Sequence, residues 1–143
     1  MKNKQIIRNG DGANYPFSQD HCFIKLSSRD TNGELCFVED NLKPGFHLKR
    51  HHHKIMTEVF YMLEGEMELI FDDESIVIKK GDTATVPPTV WHEAKCKNGG
   101  KLLTIFKNGQ FDIYLEKLSQ MKEEDFGDAA LMKAVNAEFD IYE

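Results

Sequence analysis

From about Cys22 to Phe106 the chain alternates apolar and polar residues in short stretches, each cut by residues that favour turns. This pattern predicts strands at Cys22 to Leu26, Glu34 to Val38, Phe46 to His53, Thr57 to Leu63, Glu66 to Phe71, Ser75 to Lys79, Thr83 to Val86, Trp91 to Lys95 and Leu102 to Phe106. Thr31-Asn32-Gly33, Pro44-Gly45, Glu64-Gly65, Asp72-Asp73, Lys80-Gly81-Asp82 and Asn98-Gly99-Gly100 separate them, because Gly, Asn and Asp accept the positive φ of tight turns. Pro87-Pro88 cannot donate to a strand ladder and marks a strand end or an edge. So many short strands in one unit must stack or close, which makes the fold all-β, a sandwich or a barrel.

Beyond Asn108-Gly109 the period changes. Phe111, Tyr114, Leu115, Leu118 and Met121 recur at spacings of three and four, as on an amphipathic helix. A second helical stretch carries Ala129, Ala130, Leu131, Met132, Ala134 and Val135, opened by Gly127-Asp128. The expected division is an N-terminal arm or first strand over residues 1–20, a barrel over 21–107, and two C-terminal helices packed on it over 108–143.

A length of 143 residues suits one domain. With 18 Lys and Arg against 24 Asp and Glu, the net charge is −6 and no basic stripe is present, so nucleic acid is not an expected partner. The longest apolar run, Val59 to Leu63, is far shorter than the ~20 residues of a membrane helix, so no membrane partner is expected either. Met1-Lys2-Asn3-Lys4-Gln5 is followed by no apolar stretch of the kind a secretory signal needs. Cys22, Cys36 and Cys96 are odd in number and lack CxxC spacing, which points to neither a disulfide framework nor a thiolate zinc site. The expected location is cytoplasmic.

Half of the six histidines fall in one triplet, His51-His52-His53. Residues i and i+2 of a strand share a face, so His51 and His53 converge while His52 points away. Glu58 opens the next strand after a short turn, and His92 follows the Pro-Pro stop. Three imidazoles and a carboxylate suit Fe, Mn, Ni, Co, Cu or Zn better than Ca or Mg. By spacing alone, however, the triplet reads equally well as a solvated surface strand.

The glycines and proline around these residues add a resemblance. Gly45, five residues, His51-x-His53, four residues, Glu58, six residues and Gly65 resemble the first motif of the cupin superfamily; Gly81, five residues, Pro87 and then His92 resemble the second. Together with the helical tail, the chain is similar to the small single-domain cupins described as quercetin-dioxygenase-like. The resemblance implies a double-stranded β-helix, the jelly-roll barrel, with a C-terminal helical extension. It implies one divalent transition metal held by His51, His53, Glu58 and His92, a small-molecule substrate or ligand, and a homodimer. Two positions depart from the family pattern: Thr89 stands where a glycine is usual and Cys96 where an asparagine is usual.

The activity this suggests is a metal-dependent dioxygenase acting on a small enolic or phenolic compound, with Glu58 as the catalytic proton acceptor. The alternatives are a sugar isomerase or epimerase, in which Lys49 and Arg50 reach an anionic group, and a non-catalytic small-molecule or metal-binding cupin. Phe60 and Met62 share the parity of Glu58, and Ala94 that of His92, so they are candidates for an apolar cavity wall. Trp91 is expected to point outward, His47 to lie at the rim outside the ligand set, and His21 to be structural. Outward-facing Val59, Tyr61 and Leu63 form an apolar outer face that calls for a cover.

Overall fold

The computed structural model describes residues 3–143; Met1 and Lys2 of the expected N-terminal arm lie outside the described residues. Among the described residues ten strands form two antiparallel sheets. In chain order they are β1 (Asn14–Pro16), β2 (Asp20–Leu26), β3 (Leu35–Leu42), β4 (Phe46–His51), β5 (Thr57–Glu64), β6 (Glu66–Phe71), β7 (Ser75–Lys79), β8 (Thr83–Val86), β9 (His92–Cys96) and β10 (Gly100–Lys107). The larger sheet runs β1-β2-β3-β10-β5-β8, the smaller β4-β9-β6-β7, and the two face each other as a jelly roll.

Strand alternation sorts the side chains. On β5, Glu58, Phe60 and Met62 are buried while Val59, Tyr61 and Leu63 face outward; on β10, Leu102, Thr104 and Phe106 are buried. The register sets Phe106 opposite Glu58 and Thr104 opposite Phe60, so the inward residues of adjacent strands form rows across the barrel. Phe60, Met62, Met67, Leu69 and Leu102 are among those that fill the space between the sheets, each worth about 1.5–3 kcal/mol on burial. At the turn between β5 and β6, Gly65 has φ +78° and a side chain there would meet the Gly99 carbonyl at 2.8 Å, so only glycine fits.

A second apolar cluster closes one end of the barrel, joining Cys22, Ile24, Cys36, Val38, Met56 and Phe106 to Leu115 and Ile141 of the tail. Helix α1 (Phe111–Gln120) lies against β1 and β3, with Phe111 stacked on Phe106 at 4.3 Å between ring centroids. Its buried Asp112 accepts from Ser27 Oγ (2.7 Å), Ser28 N (3.0 Å) and Ser28 Oγ (2.6 Å), which ties the first turn to the segment after β2. Helix α2 (Ala129–Glu138) is capped by Asp128, whose carboxylate accepts from Leu131 N. Tyr114 Oη donates to Asn136 Oδ1 at 2.7 Å and joins the two helices.

Most strand ends fall within two residues of the sequence reading, and two of the departures have a clear structural cause. β3 continues past Val38 to Leu42, because Cys36, Val38, Asp40 and Leu42 keep alternating inward although Glu39-Asp40-Asn41 reads as polar. β4 stops at His51 rather than His53: its register on β9 slips between Leu48 and His51, and the chain then leaves the sheet. No helix among the described residues is long and apolar enough to cross a membrane.

Candidate metal centre

The last residue of β4, the loop after it, the second residue of β5 and the start of β9 deliver His51, His53, Glu58 and His92 to one point inside the barrel. One potential donor atom from each lies within 4.8 Å of the others, and all four residues are buried. Glu58 Oε2 is 3.0 Å from His53 Nε2 and 2.9 Å from His92 Nε2. The ring centroids of His51 are 4.2 Å from those of His92 and 4.9 Å from those of His53.

Each imidazole is also fixed from behind. The Nδ1 atoms of His51, His53 and His92 donate to the carbonyls of Lys49 (2.7 Å), Asp140 (2.7 Å) and Val90 (3.0 Å). A carbonyl oxygen can only accept, so each Nδ1 carries its proton and each Nε2 is left facing the cluster. Orientation by an acceptor behind the ring is the arrangement that metal-ligating histidines require. With one carboxylate, the cluster can hold a transition-metal ion.

Burial and mutual contact shift these groups. Burial, with help from His92 and His53, pushes His51 down to about 4, against the pull of Glu58. For Glu58 burial works upward, but the hydrogen bonds and charges of His53 and His92 prevail and hold its carboxyl well below the usual range. For His53 burial works downward, and the bond to Glu58 with the Asp140 carbonyl leaves its pKa raised.

Glu58 also borders a cavity of about 270 Å³ between the sheets, whose walls include Phe60, Met67, Ala94, Leu102 and Phe106. Phe60 and Ala94 stand where strand parity predicted; Met62 lies deeper in the core and Met67 of β6 contributes instead. Helix α1 borders the same cavity through Phe111, Tyr114, Leu115 and Leu118. A larger open depression of about 520 Å³ lies at Gly45, His47, Glu66, Glu68 and Lys95 and includes none of the four clustered residues.

A buried polar residue in the cavity wall is Asp40, which sequence reading passed over although its parity with Val38 and Leu42 was visible. Asp40 Oδ1 accepts from the Cys22 thiol at 3.0 Å and Oδ2 from Thr104 Oγ1 at 3.3 Å; the same thiol lies 3.3 Å from Asp20 Oδ2. Burial, then the nearby Asp20 charge, raises the Asp40 carboxyl well above the usual range, and burial with both aspartates pushes the Cys22 thiol up as well.

The other expected residues also find places. His52 faces away from the cluster, its ring 4.1 Å from that of Trp91, which points outward too. The Arg50 guanidinium lies 4.1 Å over Trp91 and pairs with Asp72 at 2.9 Å, and Lys49 is exposed; neither residue lines the cavity. His47 is at the rim, 3.1 Å from Glu93, and His21 bonds Asn14 at 2.9 Å. At the second-motif turn, Thr89 takes φ +74°, the conformation for which glycine is usual.

Residues 38–106 match the family model described as the cupin domain. This stretch of the barrel is a cupin domain. Over 119 residues, 82% of its length, the chain is 24% identical to quercetin 2,3-dioxygenase of Bacillus subtilis, of which it covers 35%. It spans about a third of the length of the curated relatives it matches. Among solved structures, the cupin superposes on KdgF from a Halomonas species with a TM-score of 0.67 at 16% identity, over 76% of this chain and 99% of that one. An RmlC-like cupin from Shewanella frigidimarina gives 0.65 at 24% identity, over 79% and 99%. At these identities the structural likenesses establish the fold.

Proposed function

We propose that His51, His53, Glu58 and His92 hold one divalent transition metal, and that the cupin is a metal-dependent dioxygenase acting on a small, neutral enolic or phenolic compound. The observation that carries this reading is the junction of the histidine cluster with an apolar cavity through a single residue, Glu58. The metal would supply Lewis acidity and a redox-active centre to a substrate oxygen beside it. Glu58 borders the cavity in which such a hydroxyl would sit and is the carboxylate that would accept its proton. Apolar walls exclude water and suit a ring or a conjugated chain. A cavity of about 270 Å³ is small beside the ~300–1,000 Å³ usual for drug-sized ligands, which favours a compact substrate.

Among the described residues, no Lys or Arg lines this cavity, whereas Asp20 and Asp40 do. A sugar phosphate would find no cationic anchor there, which favours the neutral substrate over the isomerase alternative. The likeness to a quercetin 2,3-dioxygenase points the same way.

The decisive experiment loads the metal-free chain anaerobically with Fe, Mn, Co or Ni and follows oxygen uptake with flavonols, β-diketones and enediols. Uptake with one of these classes, lost in Glu58→Gln, is the expected result. Stoichiometrically loaded protein that consumes no oxygen across the set would overturn the dioxygenase reading. The proposed assembly is a homodimer through the outer face of the larger sheet, where Tyr61 is exposed beside half-buried Val59, Leu103 and Ile105.

A further inference from the structure

Two of the three clustered imidazoles are oriented locally, His51 by the carbonyl of Lys49 and His92 by that of Val90, each two residues back along the chain. His53 is different. Its Nδ1–H donates to the carbonyl of Asp140, beyond both tail helices and outside the stretch that matches the cupin family. The loop that carries His53 has left the sheet, so its amides need acceptors from elsewhere. The Asp140 carboxylate supplies them: Oδ1 accepts from Lys54 N at 2.8 Å, and Oδ2 from Ile55 N at 2.9 Å and Met56 N at 2.8 Å.

The neighbours of Asp140 complete the clamp. His52 and Tyr142 exchange two backbone hydrogen bonds, 2.9 and 3.0 Å long, in a one-residue antiparallel bridge. Ile141 is buried in the same apolar cluster as Met56. The Tyr142 ring lies beside that of His52 and carries Lys54 Nζ 4.1 Å from its centroid. Asp140 itself has φ +64°, a left-handed turn that lets one residue present its carbonyl to His53 and its carboxylate to the following amides.

We propose that the segment Asp140–Tyr142 is a positioning element of the metal centre, which sets the tautomer and aim of His53 and fixes the backbone from His52 to Met56. This rests on the reading that the histidine cluster holds a metal. A tail that only covered apolar surface would bury Ile141 and leave His53 alone; here the residue that closes the loop also accepts the hydrogen bond of the ring N–H. Losing an outer partner of this kind costs a metal site about 10–100-fold in affinity.

The test uses the full-length chain, stripped of metal and titrated with Co²⁺ against a chelating dye, with the visible absorption of the bound ion as a second readout. Asp140→Gly removes the carboxylate yet suits the positive φ, and Asp140→Asn keeps one acceptor oxygen. Val135→Ala, in the buried face of α2 and apart from the loop, serves as a destabilised control. The expected order of Co²⁺ affinity is wild type, then Asn, then Gly, with Gly ~10–100-fold weaker and its spectrum altered, and with Val135→Ala unchanged in both readouts. Wild-type affinity and spectrum in Asp140→Gly would overturn the proposal, as would an equal loss in Val135→Ala. A wild-type chain that takes up no Co²⁺ would instead overturn the metal reading beneath it.

Discussion

Replacing Thr89 by glycine should stabilise the cupin. Thr89 has φ +74°, and for a residue with a side chain that backbone costs about 1–2 kcal/mol. Glycine removes this strain but loses more conformational freedom on folding, about 0.5–1 kcal/mol. Nothing else changes on the folded side, since the Thr89 side chain is exposed and makes no hydrogen bond among the described residues, while its backbone N–H to the His53 carbonyl (2.6 Å) survives. The net gain is ~0.5–1 kcal/mol, or a rise in Tm of about 1–4 °C for a chain of this size. Thermal unfolding of metal-free wild type, Thr89→Gly and Thr89→Ala, followed by circular dichroism, measures it, with Ala expected to gain less because it keeps most of the positive-φ penalty. A drop in Tm for Thr89→Gly would refute the reasoning and show that the threonine is held there by something other than tolerated strain.

Three further outcomes are expected. The raised pKa of buried Asp40 means that its contribution to stability is full below about pH 4 and is lost as pH rises through the folded value. Asp40→Asn cannot titrate there, so its Tm should gain on wild type from pH 4 to pH 8; parallel Tm curves would disprove the shift. Zn²⁺ at 100 times its Kd should add about 2.7 kcal/mol of stability to wild type and to His47→Ala but none to His51→Ala, and a loss of the effect in His47→Ala would place that rim histidine in the ligand set. For the outer face, Ile105→Glu should convert a dimer to a monomer by light scattering, an idea that fails if wild type is monomeric at micromolar concentration.

Much of this architecture was legible because its determinants are local. Alternation in Thr57 to Leu63 and in Leu102 to Phe106 marks both the strands and their inward faces, and Gly45, Gly65 and Gly81 sit at turns with positive φ. The grouping of His51, His53, Glu58 and His92 was not readable from spacing alone but came from the resemblance of the two motifs; the structure brings a donor atom of each within 4.8 Å of the others. What escaped reading depends on contacts across the chain. Asp40 is an inward residue whose burial is tolerated only through Cys22 and Thr104, each on a different strand. The early end of β4 reflects the slip on β9 and the bridge from His52 to Tyr142, which no local pattern in the histidine triplet encodes. Asp140 stands just past the end of α2, and nothing near it in sequence points to His53.

The tail clamp also imposes an order on synthesis. Chains emerge from the amino end and fold as segments become available, so all ten strands can pair before α1 and α2 have appeared. During that interval the amides of Lys54, Ile55 and Met56 lack the carboxylate that later receives them, and His53 is free to turn. A nascent barrel can thus be fully stranded while the His53 loop still lacks its clamp. If the cluster holds a metal as proposed, full affinity for it would arrive only once α2 has been made and Asp140 has reached the loop.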